Sequence, residues 1–143
     1  MLKNLQILLV DDDEDEHFLF ERTLNEIDEH IDHYHAYGGE EMLEMLGRCD
    51  HGPDFIFLDL NMPKMDGKQC LWELKSHFKI PVVIYTTSRH QKDIDDAKSI
   101  GAEWFLVKPY SLSVLKSSLE LILYDASGTG HIFMPETGVY KFK

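Results

Sequence analysis

The stretch LQILLVDD at residues 5–12 decides the fold class of this chain. Its apolar side chains continue to Val10 and then give way at once to acidic ones, which predicts a strand buried on both faces of a parallel sheet. A second run of this kind, FIFLD at residues 55–59, also ends in an acid. Because open α/β sheets bind ligands at the carboxyl ends of their strands, we expect Asp11, Asp12 and Asp59 to meet there.

Strand and helix signals alternate five times along residues 5–124. The predicted strands are Leu5–Val10, Ile31–Tyr37, Phe55–Asp59, Val82–Thr86 and Ala102–Val107. The predicted helices are Glu14–Glu29, Glu40–Arg48, one that begins after Gly67, one that begins with a Ser88-x-x-Gln91 capping box and ends at Gly101, and Ser111–Tyr124. This alternation with short connections predicts an α/β domain over residues 1–125, with a doubly wound five-stranded parallel sheet and helices on both faces.

The last segment, residues 126–143, departs from this alternation. Residues 127–130 read Ser-Gly-Thr-Gly, which predicts a turn or a flexible link, and residues 131–143 mix apolar side chains with turn residues. We predict a C-terminal tail with no separate output domain. Two roles for it stay open: it packs on its own domain, or it serves as a docking or dimerising arm.

Composition and charge narrow the class of function. Residues 1–50 carry fifteen acidic and three basic side chains, so they account for the whole net charge of −12. An acidic chain without a basic stripe argues against nucleic acid as a partner. No apolar stretch is long enough to span a membrane, and there is no secretory signal, so we expect a cytoplasmic protein. Cys49 and Cys70 match no metal-binding pattern and are expected to be reduced thiols.

The predicted strand ends carry a set of groups with one shared chemistry: Asp11, Asp12, Asp59, Thr86 and Lys108. Clustered carboxylates repel one another, by about 4 kcal/mol for two charges roughly 4 Å apart at an effective dielectric constant near 20. Such a cluster calls for a cation, and a set of oxygen ligands suits Mg²⁺. Magnesium beside an amine and a hydroxyl predicts phosphoryl transfer. Because the chain has no glycine-rich phosphate loop, we expect the phosphoryl group to come from outside and to be accepted by Asp59.

Five motifs in order give the chain a close resemblance to a known family. They are residues 7–12 (ILLVDD), 36–41 (AYGGEE), 58–67 (LDLNMPKMDG), 81–86 (PVVIYT) and 101–109 (GAEWFLVKP). Over residues 4–124 the chain resembles the receiver domain of two-component response regulators, of the single-domain kind typified by the bacterial chemotaxis regulator. The resemblance implies a flavodoxin-like sheet with strand order 2-1-3-4-5.

The resemblance also implies a role for each matched residue. Asp59 is the phosphoacceptor, and Mg²⁺ is bound by the side chains of Asp12 and Asp59, by the backbone carbonyl of Asn61 and, through water, by Asp11. Lys108 pairs with the phosphoryl oxygens and Thr86 donates a hydrogen bond to them. Phe105 is the rotating aromatic side chain of the switch. The Lys108–Pro109 peptide bond is expected to be cis.

The predicted function is a phosphorylation-dependent signalling switch of a two-component system or phosphorelay. A sensor histidine kinase or a histidine phosphotransfer protein supplies the phosphoryl group, and the change reaches a downstream effector through the surface of helix four, strand five and helix five. The protein is expected to be a monomer or weak dimer that is not an enzyme for outside substrates. Two alternatives are a Mg²⁺-dependent aspartyl-phosphate phosphatase, which needs an acid where Asn61 stands, and a module that is never phosphorylated.

The histidines and Glu16 lie outside the five motifs, and we predict no functional role for them. His30, His33 and His35 alternate on the second strand, and we expect no metal site there because nothing nearby completes a zinc set. His17 and His90 flank the predicted crevice and are expected to be exposed. Glu16 is assigned to a solvated helix face.

Overall fold

The chain folds into alternating strands and helices, and the computed structural model describes residues 4–125, 133–134 and 138–142. The elements are β1 (Gln6–Val10), α1 (Glu14–Ile27), β2 (Asp32–Ala36), α2 (Gly39–Gly47), β3 (Phe55–Leu58), α3 (Gly67–His77), β4 (Val82–Thr86), α4 (Gln91–Ile100), β5 (Trp104–Val107), α5 (Leu112–Leu123), β6 (Phe133–Met134) and β7 (Val139–Lys141). All ten elements predicted in residues 5–124 are present, with ends that differ by a few residues.

The strands form one sheet in the order β2-β1-β3-β4-β5-β7-β6. The first five pair in parallel, which confirms the predicted α/β fold and the order 2-1-3-4-5. The sheet is larger than the predicted five strands, because β7 adds to β5 and β6 adds to β7, both antiparallel.

Strand β7 brings the C-terminal segment onto the edge of the sheet. The Val107 amide donates to the Gly138 carbonyl oxygen at 3.0 Å, and the Phe142 amide donates to Glu103 at 2.9 Å. Gly138 has φ +72° and an added Cβ would lie 2.9 Å from Val107 Cβ, so this approach favours glycine. Lys141 forms an ion pair with Asp125, just after α5. The predicted link at residues 127–130 lies outside the described residues.

The core consists of one apolar layer on each face of the sheet. Because strand side chains alternate, Leu8 and Val10 pack with α2, α3 and α4, whereas Ile7 and Leu9 pack with α1 and α5. All four side chains are buried. The strands are therefore covered on both faces, as their continuous apolar sequences predict.

Two local expectations are wrong. Ser88 does not open a capping box, because α4 begins at Gln91 and its N-cap residue is His90. The Gln91 side-chain amide donates to Asp95 Oδ1 at 2.9 Å, one turn further along the helix, and so does not reach back to Ser88. The described residues contain no cis peptide bond, so Lys108–Pro109 is trans, and the Lys108 side chain still reaches the carboxyl ends of β1 and β3. No described helix has both the length and the hydropathy needed to cross a membrane.

Candidate functional site

Three carboxylates meet at the carboxyl end of the sheet and form what we call the acidic pocket, which consists of Asp11, Asp12 and Asp59. Asp11 and Asp12 follow β1 directly and Asp59 follows β3, and one oxygen of each lies within 4.8 Å of the others. Asp11 and Asp59 are only 1% and 4% exposed, whereas Asp12 faces solvent. The pocket is therefore walled by buried acids and open on one side.

Lys108 supplies the balancing charge. Its Nζ lies 2.8 Å from Asp11 Oδ2 and 3.5 Å from Asp59 Oδ2, and 5.4 Å from the centre of the Tyr85 ring. Burial disfavours the ammonium, but the hydrogen bond to Asp11 and the charge of Asp59 outweigh burial and raise the pKa of Lys108. Lys108 therefore stays charged, and one ammonium faces three carboxylates.

Asp59 is held in a defined orientation. The backbone N–H of Asn61 donates to Asp59 Oδ1 at 3.1 Å, and the Lys108 ammonium lies 3.5 Å from the other oxygen, Oδ2. Burial raises the pKa of Asp59, although the Asn61 amide and Lys108 oppose that rise. The buried carboxylate keeps a basic oxygen beside an ammonium, which suits a nucleophile.

A hydrogen bond connects the loop after β3 to the end of β4. The Asn61 side-chain amide donates to Thr86 Oγ1 at 3.1 Å, and Thr86 is fully buried. Asn61 thus contacts both Asp59 and Thr86, so a change at the carboxylate has a direct route to the hydroxyl. The predicted site residues Asp11, Asp12, Asp59, Asn61, Thr86 and Lys108 all lie at this end of the sheet.

Phe105 lies in the middle of β5, away from the pocket. It is fully buried and meets the ring of Tyr140 edge-on, with centroids 6.0 Å apart. Tyr140 is also its register partner across the β5–β7 pair. The predicted switch side chain is therefore packed against the C-terminal tail, a neighbour that the sequence pattern does not reveal.

Glu16 was wrongly assigned to a solvated face, because it lies half-buried beside the acidic pocket. Burial raises the pKa of Glu16, and the positive charge of Lys108 partly opposes that rise. The negative charges of three nearby aspartates raise the pKa further: Asp11, Asp13 and Asp59. Burial together with Glu16 and Asp11 raises the pKa of Tyr85. A sequence signal was available, because Glu16 precedes the buried Phe20 by four residues, which is one helical turn.

The histidines also differ from expectation. His17 is buried rather than exposed, and its Nε2 lies 2.8 Å from the Asp11 carbonyl oxygen. His17 lies close to His33 and His35, and the three rings form a cluster. His30 contacts Asp28 instead. His90 is exposed, as predicted. His17 precedes Phe20 by three residues and Leu24 by seven, so the buried stripe of α1 did signal its position.

We expect Glu16→Gln to raise the melting temperature at pH 7.5 by about 1–3 °C. A carboxyl group whose pKa is raised by folding stabilises the fold fully below its unfolded pKa and loses that contribution as pH rises through the folded pKa. The variant lacks that loss, so its advantage at pH 7.5 should vanish at pH 4. Thermal unfolding of both proteins at the two pH values measures this. An equal advantage at both would contradict it.

The acidic pocket has the donor chemistry of a divalent-cation site. Its ligands are carboxylate oxygens, and one ammonium does not neutralise three of them. The residues present are therefore compatible with a bound metal ion beside the buried Asp59 carboxylate.

Comparison with known proteins places this chain in a family. The sequence model described as "Response regulator receiver domain" matches residues 7–120. The chain is 28% identical over 129 residues to a CheY chemotaxis protein homologue of Campylobacter jejuni, covering 88% of this chain and 98% of that one. It spans only 41% to 48% of the length of other curated relatives, which are 31% to 34% identical.

Two solved structures show the same fold. The phosphorylated cyanobacterial phytochrome response regulator RcpA superposes with a TM-score of 0.78 at 29% identity, covering 87% of this chain and 97% of that one. The Mn²⁺-bound form of the response regulator Rcp1 superposes with a TM-score of 0.74 at 25% identity, covering 92% of this chain and 99% of that one. Because the family model matches residues 7–120 and the five parallel strands have the order 2-1-3-4-5 in a fold shared with these response regulators, the chain belongs to the response regulator receiver domain family of two-component signalling.

Proposed function

We propose that this chain is a phosphorylation-dependent switch in which Asp59 accepts a phosphoryl group from a phosphohistidine partner. The observation that carries the proposal is the position of the Asp59 carboxylate, which is buried, oriented by Asn61 and within 3.5 Å of Lys108. The phosphorylated state of RcpA supports a phosphoacceptor in this fold.

We infer that the resident cation is Mg²⁺. The side chains of Asp12 and Asp59 and the backbone carbonyl of Asn61 would hold the ion, with Asp11 acting through water. When bound, the ion supplies charge neutralisation for the carboxylates and for the phosphoryl oxygens. The Mn²⁺-bound form of Rcp1 supports a divalent ion in this fold.

In the phosphoryl transfer, the Asp59 carboxylate is the group of the protein that forms a covalent bond. An Asp59 oxygen attacks phosphorus, the O–P bond forms as the P–N bond of the phosphohistidine breaks, and the partner's imidazole leaves with the electron pair. Lys108, 3.5 Å from Asp59 Oδ2, pairs with the charge that arrives on the phosphoryl oxygens. Positioning and charge neutralisation account for most of catalysis in such reactions.

The signal then passes from the pocket to the far edge of the sheet. The new negative charge draws the Thr86 hydroxyl away from Asn61, which it now contacts at 3.1 Å. Phe105 moves into the space that Thr86 leaves, and its contact with Tyr140 changes. The surface formed by α4, β5 and α5 includes β7 along the edge of β5, so we propose that the tail takes part in the output.

We propose that the chain is not an enzyme for outside substrates. The position two residues after Asp59 is Asn61, an amide that cannot serve as the second acid of an aspartyl-phosphate phosphatase. Because Asn61 contacts Asp59 directly, we expect water to attack the aspartyl phosphate next to Asn61, so that the phosphorylated state hydrolyses itself. We propose that a sensor histidine kinase or a histidine phosphotransfer protein donates the phosphoryl group. A downstream effector protein is the proposed target of the phosphorylated state. We further propose that the protein is a monomer or weak dimer in the cytoplasm.

Incubation with acetyl phosphate tests the proposal. Intact-mass spectrometry should show one added phosphoryl group with Mg²⁺ and none with EDTA, and peptide mapping after reduction of the acyl phosphate should locate it at Asp59. An adduct on another residue, or none with Mg²⁺ and with a cognate kinase, would favour the module that is never phosphorylated.

Asp12→Asn is expected to raise the melting temperature in metal-free, low-salt buffer by about 1–4 °C while abolishing Mg²⁺-dependent phosphorylation. The gain arises because Lys108 pairs with Asp11 and Asp59. Asp12 is repelled by both carboxylates and has no ion pair with a lysine or arginine in the described part of the chain. Added salt should shrink the gain by screening the repulsion. Differential scanning calorimetry with and without salt measures it, and a lowered melting temperature would contradict the repulsion argument.

A further inference from the structure

Three histidines form a cluster next to the acidic pocket, which we call the histidine cluster: His17, His33 and His35. His17 comes from α1 and the other two from β2, and one ring nitrogen of each lies within 4.8 Å of the others. The ring centroids of His33 and His35 are 4.3 Å apart, and those of His17 and His35 are 4.9 Å apart. Alternation along β2 places both of its imidazoles on the face that meets α1.

The hydrogen bonds fix the orientation of His17. Its Nε2 is 2.8 Å from the Asp11 carbonyl oxygen, which can only accept, so Nε2 carries the proton and Nδ1 of the neutral ring has a lone pair. Metal-binding histidines commonly donate their second N–H to a backbone carbonyl in this way. The Nδ1 of His17 lies 3.0 Å from the Nδ1 of His35, so it points into the cluster.

His33 is the member that points most directly to a missing ligand. Its side chain is only 2% exposed, and neither ring nitrogen has a hydrogen-bond partner within the described part of the chain. Burial, with His35 and His17 nearby, lowers the pKa of His33 to about 3, so the ring is neutral and can offer a lone pair. Buried polar atoms are normally paired, and an unpaired one indicates a role such as ion binding.

Glu21, on the next turn of α1, lies beside the histidine cluster. Its Oε2 is 3.8 Å from His35 Nε2 and 4.0 Å from His33 Nδ1. Three imidazoles match the three-histidine Zn²⁺ sites whose fourth ligand is water, and a carboxylate near the second nitrogen of a metal-binding histidine is a common outer partner. The acidic pocket, with oxygen ligands alone, suits Mg²⁺ instead, so the two places differ in the ion they favour.

We propose that His17, His33 and His35 bind one Zn²⁺ ion at a site separate from the acidic pocket, with water as the fourth ligand and Glu21 beside the second ring nitrogen of His35. The ion takes the place of the proton between the Nδ1 atoms of His17 and His35, gives His33 the partner it lacks, and offsets the charge of Glu21. The bond from His17 to the Asp11 carbonyl joins this site to the backbone of the acidic pocket.

Co²⁺ absorption spectroscopy on the full chain, produced without a histidine tag and held in excess Mg²⁺, tests the site. Tetrahedral Co²⁺ absorbs strongly in the visible range, whereas octahedral Co²⁺ on oxygen ligands absorbs weakly, so the acidic pocket does not mimic the signal. We expect a tetrahedral spectrum that saturates at one equivalent and is abolished by one equivalent of Zn²⁺. A titration without this spectrum would overturn the proposal, and would leave a shared proton as the occupant of the cluster.

Variants separate ligands from neighbours. His35→Ala removes a ring that is 35% exposed, so the fold should survive while the tetrahedral spectrum is lost. Glu21→Gln should weaken Co²⁺ binding about 10- to 100-fold. His30→Ala is the matched control, because His30 is an exposed histidine near the start of the same strand that contacts Asp28 instead. Retention of the spectrum in His35→Ala, or its loss in His30→Ala, would overturn the assignment.

Discussion

Asp59→Asn is expected to reduce phosphorylation by acetyl phosphate or a cognate kinase to background, while raising the melting temperature in metal-free buffer at neutral pH. The amide has no anionic oxygen to attack phosphorus. Burial raises the pKa of Asp59, so the ionised side chain disfavours the fold at neutral pH, and the uncharged amide removes that penalty. The stability gain should disappear below pH 3.8, where the carboxyl group is protonated in both states. Intact-mass spectrometry and calorimetry measure the two effects.

Asp66→Asn is the matched control for this variant. Asp66 lies in the same loop and caps α3 by accepting from the Lys68 amide at 3.1 Å, a role that Asn fills equally well. It should retain phosphorylation and stability. If both variants lost phosphorylation, or if Asp59→Asn remained phosphorylated on this loop, Asp59 would not be the acceptor.

Gly67→Ala is expected to destabilise the fold by about 3 kcal/mol, which lowers the melting temperature by about 6–12 °C. An added Cβ would lie 2.3 Å from the Leu60 Cα and 2.7 Å from its carbonyl oxygen, so backbone rather than a flexible side chain must move. Because Leu60 follows Asp59 directly, the same shift should slow phosphorylation. Chemical denaturation gives the free energy of unfolding.

Gly47→Ala provides the comparison. Gly47 is the last residue of α2, and nothing lies within 4 Å of an added Cβ there. Alanine is favoured over glycine in a helix, so this variant should be as stable as the wild type or more stable by up to about 1 kcal/mol. Equal effects at both positions would show that the close approach of α3 to Leu60 does not determine the cost.

The acidic pocket was predictable because parallel strands impose one rule on distant residues. Lys108 and Asp11 are 97 positions apart, yet each follows a buried strand, and all such ends meet at one edge. Continuous apolar runs identified β1, β3, β4 and β5, so the site residues at their ends could be named together. The shared edge, rather than any single side chain, indicates which of these residues lie together.

The surroundings of the pocket were harder to predict because they depend on packing between elements. Glu16 and His17 stand in an acidic stretch that looks solvated, but the stripe through Phe20 turns them toward the sheet. The histidine cluster needs α1 and β2 in contact, a juxtaposition that no spacing within either element reports. Strand β7 is three residues long, and it pairs with β5 because β5 has an available edge. The local sequence of residues 139–141 does not indicate that such an edge lies nearby.

That pairing has a consequence for self-association. A sheet that ended at β5 would offer a row of unpaired amides and carbonyls to another molecule, as exposed edge strands do in aggregation and strand exchange. Here Val139–Lys141 already forms hydrogen bonds with those groups of β5. The two-residue strand β6 pairs with the other side of β7 and forms the last strand of the sheet. Detaching this segment, for example by a bulky side chain at Gly138, would expose the backbone groups of β5, so the pairing of β7 also protects this edge against strand pairing with another molecule.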